Sequence, residues 1–376
     1  MKTELQAVVV IPHLWVQNAN AIASPMTYGF PAITAFTGAV HAIERKLKEA
    51  GVVVGLKGVG VVCHSAEPQT NRESGYVTRF NLTRNPLAKD KEDENTGKRA
   101  LEVNPDGSLK TPSLVEEGRM HLDVSLVIGI ESGCPISRHE QRVLAHRIEE
   151  QLRAMRLAGG SVLPHPVKVL RKSARLTSVS GGGDEARTTA FRKLARSLLP
   201  GFALVGRHAL LAEHLAAMRA QDSKANALDA LLDLCALHWA PEPLEDDSGA
   251  DLDGVTAAVA PVAVTADTAT TKTPWHATRR KPGWLVPIPV GYAAISELYP
   301  PGVVKRTRDP AVPFRFVESV LSLGEWKSPH RLSGLDELLW HYDANPDGGL
   351  YLVRTVADTA VTAAVTTAVE TAAVPV

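Results

Sequence analysis

Aromatic residues are scarce in this 376-residue chain, at 5%, and cysteines number only three. Cys63, Cys134 and Cys235 are odd in number and far apart. They form no zinc-binding spacing and no disulfide framework, so a reducing compartment, the cytoplasm, is expected. No run of roughly eighteen apolar residues occurs, so no transmembrane helix and no membrane partner are expected. Met1-Lys2-Thr3-Glu4 leads into an apolar stretch without a small-residue cleavage site, and no signal peptide is expected. Motifs of catalysis are missing as well. There is no P-loop, no G-x-G-x-x-G, no H-E-x-x-H and no G-x-S-x-G. Thirteen histidines are scattered along the chain. Cys63 and His64 are neighbours on a predicted strand, where adjacent side chains point to opposite faces, so they make no dyad. No catalytic residue, metal site or cofactor is expected.

Net charge is also lacking: 41 basic residues balance 41 acidic ones. The distribution is uneven, however. Arg138 to Ala220 holds 15 basic and 6 acidic residues, and Ala269 to Phe316 holds 8 and 2. Between them, Pro241 to Thr268 has 7 acidic residues and no basic one. Two basic blocks that can face phosphate therefore flank an acidic linker.

What is present is a sequence of short apolar runs and amphipathic helices. Leu5–Pro12 reads as a buried strand. Phe36, Val40, Ile43 and Leu47 predict a helix over 36–50, ended by Gly51. Val52–Cys63, Gly75–Thr83 and Leu122–Ile130 read as further strands. A helix starting near Ser137 runs to Met155, with Val143, Leu144, Ile148, Leu152 and Met155 on its apolar face. The charged stretch 86–112 reads as a hairpin tip or disordered loop. The order β-α-β-(hairpin)-β-α-β predicts an α+β fold with a ferredoxin-like, RNA-recognition-motif-like core carrying an inserted thumb hairpin and a helical insertion. The expected organisation is a core over 1–164 with a thumb about 74–130. A helical insertion follows over 165–240, with helices at 184–199, 207–220 and 226–239. Then come a low-complexity linker over 241–280, an ordered return segment completing the core over 281–354, and a disordered tail over 355–376.

Four constellations suit nucleic acid. In Arg156-Leu157-Ala158-Gly159-Gly160-Ser161, paired glycines let backbone amides approach a phosphate, with Arg153 and Arg156 adding charge. A Gly-Gly after a helix is more commonly a plain C-cap. Gln17, Asn18 and Asn20 offer amides to base edges or ribose hydroxyls, or cap their own turn. Arg79, Asn81 and Thr83 share one strand face, with Arg84 next to them. Trp326, Lys327, His330 and Arg331 can stack a base and hold its phosphate, or the tryptophan packs inward.

Longer strings carry a resemblance. They are Gln17–Ile22 (QNANAI), Gly29–Pro31 (GFP), Ala35–Gly38 (AFTG), Gly58–His64 (GVGVVCH), Phe80–Leu87 (FNLTRNPL) and Val115–Arg119 (VEEGR). Further on stand Ala154–Ser161 (AMRLAGGS), Leu198–Val205 (LLPGFALV), Leu228–Cys235 (LDALLDLC), Lys281–Pro289 (KPGWLVPIP), Gly324–Trp326 (GEW) and Ser328–Arg331 (SPHR). Together they span most of 5–354 in one order. The chain resembles the second of the Csy proteins, the Cas-five-type subunit of the type I-F CRISPR surveillance complex, in the RAMP superfamily. It departs from that pattern in a longer hairpin tip (88–113), an extended linker (242–274) and a tail (355–376) without counterpart.

The resemblance implies a non-catalytic subunit for antiviral defence that caps the 5′ handle of the CRISPR RNA together with the large subunit. Its thumb would reach a repeated backbone subunit, and target DNA would be met through the assembled complex. The RNA-binding set is then Gln17, Asn18, Asn20, Arg79, Asn81, Arg84, Arg156, Gly159, Gly160, Ser161, Trp326, His330 and Arg331. A metal-independent endoribonuclease acting on repeat RNA, and a structural bridge between subunits, are the competing readings.

Overall fold

Val8, Val9, Val10 and Ile11 are all fully buried, so the first half of the first strand has no solvent face. That explains why its sequence is a continuous apolar run rather than an alternating one. The computed structural model describes residues 5, 7–72, 78–81, 83–84, 89–92, 99–101, 103–108, 114–115, 118–131, 137–179, 184–241 and 275–358.

This first strand, β1 (Ala7–Asn20), leads through α1 (Ile33–Glu49) to β2 (Gly55–Pro68). β3 (Arg119–Glu131), α2 (Arg138–Arg153), and the short strands β4 (Arg156–Leu157) and β5 (Gly160–Leu163) follow. β6 (Arg175–Ser178) pairs with β1. The next stretch is α3 (Asp184–Ser197), β7 (Phe202–Gly206), α4 (His208–Gln221) and α5 (Ala227–Cys235). β8 (Trp284–Ala294), β9 (Val317–Lys327), α6 (Leu335–Leu338), β10 (Trp340–Asn345) and β11 (Leu350–Thr355) complete the order.

The result is a mixed α/β structure around an eleven-stranded sheet, ordered β4-β5-β1-β3-β2-β7-β9-β8-β11-β10, with every recorded pairing antiparallel. β10 returns to β2 through Trp340 opposite Val59, so the second half of the sheet closes on itself.

Two helices cover one sheet face. α1 presents Phe36, Val40, Ile43 and Leu47, and α2 presents Leu144, Ile148 and Leu152, to Val9, Ile11, Val16, Leu122 and Leu126. Each such side chain contributes about 1.5–3 kcal/mol on burial. Val143, expected on the apolar face of α2, is 38% exposed. Ser137 starts α2 with a capping box: its Oγ accepts from the Glu140 amide while the Glu140 carboxylate accepts from the Ser137 amide. The other face, through Val8, Val10, Val62 and Val127, packs on Phe191, Leu194 and Leu198 of α3 and just after it, and on Leu338.

The insertion expected to be helical holds a strand as well. β7 joins the main sheet between β2 and β9, because Ala203, Leu204 and Val205 are apolar enough to be buried on both faces. The third helix also stops earlier than expected. Ala236 is already extended, and His238–Pro241 pairs instead with Trp275–Thr278. That ladder brackets 242–274, the expected linker, which lies outside the described residues.

In the hairpin region, Thr83–Arg84 pairs with Leu114–Val115, and Lys89–Glu92 with Arg99–Leu101. These antiparallel pairs are nested: the outer one flanks the stretch 86–112 expected to be a tip, and the inner one lies within it. Residues 73–77 and 109–113 lie outside the described residues, as does 359–376 of the expected tail. Residues 355–358 of that tail are placed, with Thr355 and Asp358 buried.

Candidate nucleic-acid interface

β1 slips register against β3 twice, between Ile11 and Leu14 and between Val16 and Ala19. The slips contain the strand's two left-handed residues, His13 (φ +49°) and Asn18 (φ +58°). Bulges of this kind bend a strand and re-aim its side chains. Asparagine tolerates the conformation well. Asn18 is fixed there by two bonds: its amide donates to His121 Nδ1 (3.3 Å), and its Oδ1 accepts from Gln69 Nε2 (2.5 Å). Asn20 bonds locally, accepting from the Ile22 amide and donating to the Ile22 carbonyl. Both asparagines therefore shape the turn with their amides, and both stay exposed.

The glycine turn is not a helix cap. α2 ends at Arg153 with Ala154 as its C-cap, and Arg156 lies on β4 rather than on the helix. β4 and β5 form a hairpin whose two turn residues, Ala158 (φ +49°) and Gly159 (φ +78°), are both left-handed, as a primed two-residue turn requires. Gly160 is buried for a different reason. A Cβ there would stand 2.6 Å from the Gln17 carbonyl and 2.8 Å from the Ala19 amide. The hairpin docks on β1 through that close approach, with Gln17 opposite Ser161 and with the Asn20 amide donating to the Ala158 carbonyl at 2.8 Å.

Three of the four sequence constellations therefore meet at one end of the sheet. Gln17, Asn18, Asn20, Arg156, Gly159, Gly160 and Ser161 are brought together directly. Gln69 ties in the third, since its carbonyl accepts from the Asn81 amide and its neighbour Asn71 pairs with Arg79. Arg84 is in the short strand Thr83–Arg84, and its side chain lies outside the description. The fourth constellation goes elsewhere. The half-buried Trp326 ring packs inward, 4.9 Å from Phe30 edge to face and 6.3 Å from Trp284. His330 and Arg331 stand in a 3-10 turn (Pro329–Arg331) packed on α3, where His330 Nδ1 meets Ser328 Oγ at 2.9 Å.

Sequence reasoning missed Arg119, whose guanidinium donates to the Asn18 carbonyl (3.5 Å) beside Gly159. It also missed Gln69, His121 and the cluster next to them. The available signal was the alternation Arg119-Met120-His121-Leu122-Asp123-Val124-Ser125, which puts a polar stripe on one face of β3. Asp123, 5% exposed, accepts from His13 Nδ1 at 2.9 Å and lies 3.3 Å from His165 Nε2. The Val167 amide donates to His165 Nδ1 (3.0 Å), which leaves Nε2 to carry the proton toward Asp123. His64 Nδ1 donates to the Pro200 carbonyl (2.5 Å), so Ser125 Oγ donates to its Nε2 (2.6 Å) and accepts from the His13 amide (3.1 Å).

One ligand atom from each of His13, His64 and Asp123 lies within 4.8 Å of the others. The hydrogen bonds just described form one consistent donor–acceptor chain, and it clamps the His13 bulge. Burial, followed by the neighbouring His13 and His165 rings, pushes the His64 pKa down against the Pro200 carbonyl and Asp123. Burial pushes the Cys63 thiol up to about 12, with Asp123 adding to the effect, so it carries no nucleophilic thiolate.

A family model described as CRISPR-associated protein (Cas_Csy2) matches residues 9–353. The CRISPR-associated protein Csy2 of Pseudomonas aeruginosa (strain UCBPP-PA14) is 44% identical over 350 residues, covering 93% of this chain and 95% of that protein.

Proposed function

The chain belongs to the Csy2 family of CRISPR-associated proteins, and on that premise we propose that it is a non-catalytic subunit of a type I-F RNA-guided surveillance complex that holds the 5′ handle of the CRISPR RNA. The observation that carries this reading is the convergence of Gln17–Asn20, Arg156–Ser161 and the Gln69–Asn81 contact at one sheet end. Arg156 and Arg119 supply charge for phosphate, and the exposed Gln17 and Ser161 supply hydrogen-bonding groups. Charged contacts position a strand, while polar groups at base edges select it. Asn18 and Asn20 hold the rim in shape.

The core is read as ferredoxin-like. Its six elements β1, α1, β2, β3, α2 and β5 have both helices on one face and the strand order β5-β1-β3-β2. The nested pairs between Thr83 and Val115 suit the thumb that would reach a repeated backbone subunit. Leu228, Leu232, Leu237 and Trp239 are exposed on and beyond α5, which suits burial against a partner subunit such as the large one. Target DNA would be met through the assembly.

The test is Arg156→Glu in the co-expressed complex, with bound CRISPR RNA quantified after purification. Loss of RNA at unchanged protein yield is expected, and normal RNA content would remove this rim from the interface. Gly160 is unsuitable for that test, because any side chain there would dislodge the hairpin whether or not RNA binds.

A further inference from the structure

Beside the glycine turn, a cleft of about 650 Å³ runs between the rim and the second half of the sheet. Asn20, Arg156 and Gly159 line one side, and Tyr292, Tyr342 and Tyr351 line the other. The tyrosines come from three strands but share one surface. Tyr292 on β8 and Tyr351 on β11 are direct cross-strand partners. Tyr342 on β10 stands opposite Val353, two residues along β11 from Tyr351, and so projects to the same face. Tyr292 is 44% and Tyr342 57% exposed, although a ring of this size ordinarily gains by burial. The first turn of α1 forms part of the wall, and no carboxylate is among the lining residues.

We propose that this cleft takes an unstacked nucleotide of the single-stranded RNA gripped at the rim, its base stacked on the tyrosine face and its phosphate at Arg156. This rests on the proposed handle-binding reading and adds to it a second, base-stacking subsite. The volume falls within the roughly 300–1,000 Å³ of small-ligand pockets. One positive group at the mouth, no negative group in the lining, and several apolar rings with hydroxyl tips match a nucleotide rather than an apolar peptide. Stacking on such rings is tolerant of base identity. The cleft would thus grip a position by its π-face, while Gln17 and Ser161 face the strand at the rim.

The experiment uses the full-length protein and a fluorescein-labelled single-stranded RNA carrying the repeat-derived 5′ handle. Affinity is measured across a salt series for wild type, Tyr351→Ala, Tyr342→Ala, Tyr351→Phe and Arg156→Ala. Ultraviolet crosslinking of the wild-type complex is then mapped by mass spectrometry. Each Tyr→Ala variant is expected to bind roughly 5- to 150-fold more weakly, the range for losing one base–aromatic stack, with an unchanged salt slope. Tyr351→Phe should retain binding. Arg156→Ala should flatten the salt slope by about 0.7, one phosphate contact on a single strand. Crosslinks should fall on the tyrosines. If wild type and both alanine variants bind alike, or if the crosslinks avoid the tyrosines, the cleft is excluded while the rim reading stands. If wild type shows no preference for the handle over a scrambled RNA, both fall together. Tyr342 is a surface position, so its alanine variant tests the cleft without depending on the core.

Discussion

Replacing Asp123 by alanine tests how the interface is held in shape. The carboxylate is 5% exposed and receives His13 Nδ1 at 2.9 Å and His165 Nε2 at 3.3 Å. Hydrogen bonds to a charged acceptor contribute roughly 1.5–3 kcal/mol each, and a buried donor left unsatisfied costs about 1–3 kcal/mol. His13 is partly exposed and can turn to water, whereas His165, at 6% exposed, cannot. The longer His165 contact is also the weaker one. The expected net loss is therefore about 2–4 kcal/mol, on the order of 3–5 °C in Tm for a chain of this size. Asp123→Asn keeps one carbonyl acceptor and should lose about half as much. Urea unfolding followed by tryptophan fluorescence measures the change, and an unaltered m-value would show that only stability moved. Trp15, 5.8 Å from His121 and 5.5 Å from His165, should report the disturbed bulge directly. An Asp123→Ala midpoint equal to wild type would refute the argument that this carboxylate holds the left-handed His13, and with it the register of Trp15–Asn20.

Five further outcomes can be checked. Gly159→Ala meets Arg119 Nη1 at 3.8 Å and Asn20 Cβ at 4.0 Å, both ordinary contacts, so it should cost about 1–2 kcal/mol for its left-handed backbone alone. Gly160→Ala, driven against two backbone atoms, should cost about 2–4 kcal/mol and release the hairpin to proteases. His64, His208 and His341 all have pKa values lowered by burial, so the unfolded chain takes up their protons first. Their contribution to stability is complete above the unfolded value of about 6.5 and is lost as pH falls below it toward the folded values. Tm should therefore drop between pH 7.5 and 5.5, and a flat or rising Tm over that interval would contradict the burial of these rings. Asp358→Ala removes the carboxylate that accepts from the His208 and Ala209 amides, each at 2.9 Å, at the start of α4. A loss of about 1–2 kcal/mol is expected, typical of a lost N-cap. Incubation of the purified protein with repeat RNA in EDTA should leave the RNA intact; specific cleavage would overturn the non-catalytic reading.

The elements legible in the sequence are those with a local period. Phe36, Val40, Ile43 and Leu47 announce α1 through their spacing, and Ser137 with Glu140 announces the start of α2, because both signals lie within a few residues of each other. The interface was legible only as separate fragments. Gly159-Gly160 follows a helix closely enough to look like its cap, and nothing local distinguishes a cap from a hairpin. What decides between them is the approach of Gly160 to Gln17, more than a hundred residues away along the chain. The Asp123 clamp and the tyrosine face are hidden for the same reason, since His13, Asp123 and His165, or Tyr292 and Tyr351, become neighbours only through sheet register. A one-residue slip sends every side chain of a strand to the opposite face, and the two bulges of β1 are such slips, set by His13 and Asn18. The turn at 156–161 would thus serve the proposed interface in two separable ways. Gly160 has no side chain and so lets the hairpin dock. Arg156 stands exposed at the mouth of the cleft, where it would meet a phosphate. A variant series that treats the two glycines and the arginine as one motif would confuse folding with binding, whereas Arg156→Ala beside Gly160→Ala separates them.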